Sequence, residues 1–318
     1  MIEVDNLTKF YGPRPAIKGL TFEVNRGEVV GFLGPNGAGK TTTMNILCCI
    51  MPASSGGARV CGYDIFEQSL EIRKRIGYLP ETPPVYTDMI VADYLKFCAS
   101  IRRVPGNQVS AAVDRVIEKC VLREVRHRLI GRLSKGFQQR VGLAQAMIHN
   151  PDILILDEPT IGLDPIQIIE IRKLIQELAD SHTILLSSHI LPEVTQICKR
   201  VIIINEGEIA AMDSLEGLTS SLNKGERLLF KVRNEDHGIV EKLEALDKVW
   251  DVKREKDGQF LIECEMNSHL QDQVARLALD NAWGIEELKP MAMTLEDIFI
   301  KLTLEEKEVK TVEEGAAS

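Results

Sequence analysis

The sequence predicts an α/β protein built on a parallel sheet, with a helical insertion and a small α+β module behind it. Short apolar runs, "GEVVGFLG", "DILILD", "HTILLSS" and "RVIIIN", alternate with helical patterns, the rhythm of a parallel sheet covered on both faces. Met89 to Asn150 reads as mostly helical. Past a polar stretch, "EGLTSSLNKGE", the pattern becomes β-α-β-β-α-β, the order of a ferredoxin-like module.

With 318 residues, 44% of them hydrophobic, the chain can bury one large core, or a large and a small one. A formal net charge of -9 argues against a nucleic-acid-binding surface, whose footprint is basic. The seven cysteines show neither C-x-x-C nor a Cys/His ligand spacing, and Cys48 and Cys49 adjoin within an apolar run. They read as buried thiols of a reducing cytosol. "MIEVDNLTKF" alternates like a strand and lacks the regions of a signal peptide. The longest apolar runs are strand-length, short of the roughly 18 residues a bilayer span needs. The expectation is a soluble chain.

Taken in order, residues 1–217 form the α/β unit, with a helical subdomain at about 88–150. There, "VADYLKFCASIRR" and "VSAAVDRVIEKCVL" are amphipathic, and "LSKGFQQRVGLAQAM" opens a third helix. Ser134 is suited to cap it, Gly136 admits close backbone approach, and Phe137, Val141, Ala144 and Ile148 recur at helical spacing. Residues 218–226 read as a linker and 227–303 as the accessory α+β domain, in which no catalytic constellation stands out. Residues 304–318, acidic and ending in Gly-Ala-Ala-Ser, read as a solvated, disordered tail.

"GPNGAGKTT" fits G-x-x-x-x-G-K-[ST] between a strand and a helix. Gly34, Gly37 and Gly39 let backbone N–H groups curl around phosphates, and the helix N-terminus adds positive potential. Lys40 reaches the outer phosphates and Thr41 offers its hydroxyl to magnesium. Pro35, Asn36, Ala38 and Thr42 complete the nucleotide-binding candidates. "ILILDEPT" places Asp157 and Glu158 at the carboxyl end of a buried strand, where ligands bind in open α/β sheets. Asp157 is suited to hold the metal, directly or through water, and Glu158 to polarise the attacking water. Seen alone, such acids are often only solvated surface. His189, ending "LLSSH", is placed either to bond a terminal phosphate or to serve as a structural hydrogen-bonding group.

"GPNGAGKTT", "LSKGF", "ILILDEPT", "GLDP" and "SSH" stand in the order and approximate spacing of ABC transporter ATPase subunits, which the first 215 residues or so resemble. "IGYLPETPPVYTDMIVADYL", "LSKGFQQRVGLAQAMIHNP" and "ELKPMAMTLEDIFIKLT" look most like the ABC-2-type exporter branch, including gliding-motility-type ATPases. The resemblance implies a P-loop NTPase fold of the ABC ATPase type, with ATP and Mg2+ as its ligands and hydrolysis coupled to transport. In this family the helix after L-S-x-G binds the γ-phosphate held by a second copy. Ser134 and Gly136 match the residues that touch it, so one chain supplies half of each site. The implied partners are a second copy of the chain and a polytopic membrane permease, with no nucleic acid. The implied location is cytoplasmic, peripheral on the cytoplasmic face of the membrane through the permease. A soluble ATPase of the family, or a regulator not coupled to transport, is the alternative; those acting on ribosomes or DNA usually resemble tandem or coiled-coil-split cassettes, features missing here.

By the same resemblance Tyr11 stacks on adenine, a core aromatic being the other reading. Asp164 links the two sites across the dimer, and it also suits a helix cap ahead of Pro165. The family pattern is what lifts His189 to the phosphate-sensing role. Two departures stand out. Glu81 occupies the place of the usual Gln near magnesium; it can ligate the metal, but it cannot donate a hydrogen bond unless protonated. Lys135 and Phe137 replace a Gly and the Gln of the usual L-S-G-G-Q, and Lys135 is either an extra phosphate contact or a solvated charge.

Overall fold

The computed structural model describes residues 1–222, 225–236, 238–256, 258–265, 269–291, 297 and 299. The chain divides into two units after Ser214, close to the expected boundary at 217. The first is built on a six-stranded sheet in the order Glu208–Ser214, Arg200–Asn205, Val29–Leu33, Thr183–Ser188, Ile153–Leu156, Ile76–Leu79. All neighbours run parallel except the first pair. The four apolar runs read from the sequence are four of its strands. Every residue of Ile153–Leu156 and Thr183–Ser188 is buried, which is why these strands read as continuous apolar runs. Ile76–Leu79 has Gly77 and the half-buried Tyr78 at its middle, so it lacks the continuous apolar run that announces Ile153–Leu156.

A second, antiparallel sheet takes the order Arg14–Val24, Ile2–Tyr11, Ser55–Val60, Tyr63–Asp64. One apolar core joins it to the parallel sheet, with Phe22 and Phe32 at 5.6 Å between ring centroids. The helix Lys40–Leu47 seals that core with Met44, Ile46 and Leu47. Cys48 and Cys49 complete it as free, buried thiols. Burial pushes the Cys48 thiol well above its ordinary pKa, so it packs as a small apolar group.

The helical region carries Val91–Ile101, Val109–Lys119 and Lys135–Met147. Ser134 caps the last of these, its Oγ accepting from Phe137 N at 3.4 Å. The helix Pro165–Ala179 starts in the same manner, Asp164 Oδ1 accepting from Gln167 N at 2.9 Å with Pro165 in the first turn.

In the second unit, the helix Leu215–Leu222 takes up part of the stretch read as a linker at 218–226. Leu215, Leu218 and Leu222 recur at helical spacing, a signal that the intervening Gly, Thr and Ser hid; residues 223 and 224 lie outside the described set. The chain then follows Gly225–Val232, Ile239–Glu244, Val249–Arg254, Gln259–Glu265, Leu270–Asp280 and Ile285–Met291. Its strands form an antiparallel sheet in the order Val249–Arg254, Gln259–Glu265, Gly225–Val232, Ile285–Met291. Phe230, Phe260 and Trp283 fill its core. The tail read at 304–318 lies outside the described residues.

Candidate functional site

The site lies beyond the carboxyl ends of adjacent parallel strands. After Val29–Leu33 the chain turns through the glycine loop into the helix Lys40–Leu47. A Cβ on Gly34 would stand 2.3 Å from the Ile204 carbonyl oxygen, so only glycine passes. Gly39 caps the helix at φ +107°, and a Cβ there would stand 2.6 Å from both Ala16 O and Ile17 Cγ2. The helix carries no acidic residue in its first turn, leaving its N-terminal N–H groups to an anion.

Lys40 folds back over this loop, its Nζ donating to Gly34 O at 2.8 Å and Pro35 O at 3.2 Å. The same ammonium stands 3.4 Å from Glu158 Oε1. Glu158 follows the strand Ile153–Leu156 at φ +47°, a left-handed backbone that costs a non-glycine residue about 1 kcal/mol. Its Oε2 is 2.9 Å from His189 Nδ1, so the ring carries its proton on that nitrogen. Lys40, Glu158 and His189 thus form one chain of charge-assisted contacts.

Asp157 is fully buried. Its Oδ1 accepts from Ser187 Oγ at 2.5 Å, whereas Oδ2 has no hydrogen-bond partner. A cavity of about 380 Å³ is lined by Asn36, Gly37, Gly39, Lys40, Thr41, Thr42, Glu81 and Glu158. A second, of about 500 Å³, shares Thr41 and Glu81 with it and adds Asp157. The three predicted metal ligands are therefore brought together. An orphaned carboxylate oxygen, a second carboxylate and a hydroxyl make an all-oxygen donor set, which suits Mg2+. Among the described residues, no cluster of three or more His, Cys, Asp or Glu stands ready for a metal.

Residues 17–161 match the ABC transporter family. Over 304 residues the chain is 34% identical to the bacitracin transport ATP-binding protein BcrA of Bacillus licheniformis, covering 95% of this chain and 97% of that one. The chain belongs to the ATP-binding subunits of ABC transporters. This ABC subunit is also 29% identical, over 306 residues, to the linearmycin resistance ATP-binding protein LnrL of Bacillus subtilis, covering 95% of this chain and 98% of that one. A dimeric structure of a bacterial ABC transporter cassette superposes with a TM-score of 0.61 at 25% identity, over 68% of this chain and 99% of that one. The chain is accordingly an ATPase of the P-loop fold that takes ATP and Mg2+. Among the described residues of this ABC subunit, no helix is long and apolar enough to cross a membrane.

The remaining predicted residues of the ABC ATPase lie apart from the cavity lining. Tyr11 is 52% exposed and donates its hydroxyl to Met51 Sδ at 3.2 Å, which removes the core-aromatic reading. Ser134, Lys135 and Gly136 start a helix that packs on Pro165–Ala179. The Gln167 side chain presses on Gly136, with Cδ 2.7 Å from where a Cβ would stand, Lys135 reaches toward Gly162, and Arg140 pairs with Glu170. Asp164 spends its carboxylate on the helix cap.

Two features of this ABC site escaped sequence reasoning. Ser187 is wholly buried against Asp157, and Thr160 donates to the buried carboxylate of Glu193. Only the register exposes the first: Leu156 pairs with Leu186, which sets Ser187 opposite Asp157.

Proposed function

We propose that the chain is the motor of an ABC-2-type exporter, closing around ATP as a head-to-tail dimer and driving a separate membrane permease. The observation that carries the hydrolytic half is the contact chain from Lys40 through Glu158 to His189 beside the phosphate loop. The N–H groups of Asn36 to Thr42 and the Lys40 ammonium hold the outer phosphates. Thr41, Asp157 and Glu81 hold Mg2+, which when bound offsets the charge on the transferring phosphoryl group. Phosphate oxygens compete for Lys40 and so release Glu158 Oε1 to accept the proton of the attacking water. His189 keeps the other carboxylate oxygen oriented and stands near the terminal phosphate.

Supporting the dimer, Ser134 and Lys135 are exposed at an N-terminus that lies outside the cavity of their own phosphate loop. That arrangement leaves them to a second copy's γ-phosphate, with Asp164 at the junction and Tyr11 against adenine. ATP touches both faces only in the closed pair, so it favours closure, and hydrolysis removes that preference. The relatives BcrA and LnrL, named for bacitracin transport and for linearmycin resistance, support an export role. We assign the second unit an accessory part in this dimer.

Light scattering of Glu158→Gln after size exclusion tests the reading. With magnesium-ATP the mass doubles; a monomer with ATP bound argues against the sandwich. Purification from membranes that brings down no polytopic protein argues against the transport coupling.

A further inference from the structure

The hydroxyl of Ser187 is fully buried and sits between the two acids of the site. It donates to Asp157 Oδ1 at 2.5 Å and accepts from the backbone N–H of Glu158 at 2.9 Å. A serine has one proton to give. That proton goes to Asp157, so the direction of the pair is fixed: Glu158 N–H to Ser187 Oγ–H to Asp157, each bond polarising the next.

We propose that Ser187 is a positioning residue for ATP hydrolysis: one hydroxyl sets the rotation of the Asp157 carboxylate and anchors the backbone of Glu158. With Oδ1 bound, the orphaned oxygen of Asp157 is Oδ2, and the carboxylate cannot spin to present the other. The anchored N–H belongs to a residue at φ +47°, a conformation that persists only where its surroundings hold it. The sheet makes the device local. Leu156 and Leu186 are paired in register, so the next residues along, Asp157 and Ser187, come side by side. The neighbouring Ser188 cannot substitute, because its hydroxyl gives its proton to Ile190 O at 3.5 Å and accepts from Ile190 N at 3.0 Å, both within its own loop. The inference rests on the roles proposed above for Asp157 and Glu158.

The test titrates Mn2+ into the full chain with a non-hydrolysable ATP analogue, following free Mn2+ by electron paramagnetic resonance, for the wild type, Ser187→Ala, Ser187→Cys, Ser187→Thr and Asp157→Asn. Ser187→Ala is expected to weaken Mn2+ binding by about 10- to 100-fold, the usual effect of losing a group that orients a metal ligand. Nucleotide affinity in EDTA stays within about twofold, kcat falls more than KM changes, and Ser187→Thr recovers most of the loss. Should Ser187→Ala not fold, Ser187→Cys, near in shape and a weak donor, must show a loss in the same direction. Wild-type Mn2+ affinity in Ser187→Ala or Ser187→Cys, with affinity lost in Asp157→Asn, overturns the inference, as does equal loss with and without metal. Wild-type affinity in Asp157→Asn instead overturns the metal-holding role of Asp157 itself.

Discussion

Lys40 Nζ and Glu158 Oε1 stand 3.4 Å apart with both side chains under a tenth exposed, which ties the proposed phosphate-binding cation to the proposed water-activating carboxylate. Glu158→Gln keeps the shape and gives up proton acceptance. ATP binding is expected to persist while phosphate release falls by roughly 10²- to 10⁴-fold. Lys40→Ala strands a buried carboxylate, costing about 3 kcal/mol of stability and ATP affinity besides. Calorimetric melting and nucleotide titration on the two variants check both halves.

Gly39→Ala forces a Cβ against Ala16 O and Ile17 Cγ2 at a φ of +107°. We expect about 2 kcal/mol of destabilisation from overlap and backbone strain together, and loss of nucleotide binding because the helix start moves. Gly37→Ala separates the two causes: its Cβ has nothing within 4 Å although φ is +82°, so it pays only the backbone part. Urea midpoints that come out equal for the two contradict the steric account.

Tyr11 offers an exposed ring with Lys9 Nζ 5.7 Å from its centroid. Stacking a base on such a ring is worth about 1–3 kcal/mol. Tyr11→Ala is therefore expected to weaken ATP binding by roughly 5- to 100-fold while sparing inorganic triphosphate, and Tyr11→Phe should behave as wild type. Equal losses for ATP and triphosphate in a binding titration would remove the adenine role.

Much of this site was legible because its groups lie in short contiguous motifs whose chemistry is local. The glycine loop, the acidic pair after "ILIL" and the histidine after "LLSS" each carry their own strand or helix context. Ser187 was not legible: nothing in "SSH" says which serine faces a carboxylate, because that depends on parallel register with a strand 30 residues away. The same holds for Thr160 with Glu193, and for Gln167 lying on Gly136, each a contact between elements distant in sequence. In the fold, the helix Leu215–Leu222 was hidden by its own Gly, Thr and Ser, residues that favour turns and caps over helix interiors.

Acid should unfold this chain in part through His149. Its Nε2 meets Ile76 O at 3.1 Å while Nδ1 has no partner, and burial, aided by Arg102, lowers its pKa from 6.5 to about 4. Between those values the unfolded chain takes up a proton that the folded chain refuses. The stability it contributes is complete above pH 6.5 and drains as pH falls toward 4. Moving from pH 7 to pH 5 costs on the order of 2 kcal/mol. His149→Gln, which keeps a donor for Ile76 and does not titrate, should show a shallower fall in urea midpoint over the same range; identical slopes would acquit His149. His182 is shifted in the same direction by burial and is common to both proteins.

The parallel sheet also acts as a ruler. The phosphate loop, His189, Asp157 with Glu158, and Glu81 follow Val29–Leu33, Thr183–Ser188, Ile153–Leu156 and Ile76–Leu79, four strands side by side, and Ser187 closes the second of them from within. Their lateral intervals are then multiples of the inter-strand spacing, about 4.8 Å, and no side chain has to set them. A slip of one residue in Ile153–Leu156 would turn each of its side chains to the opposite face and carry Asp157 out of register with Ser187. Insertions are therefore tolerated between the elements but not within a strand, which leaves the surrounding loops free to diverge while the reacting groups keep their measure.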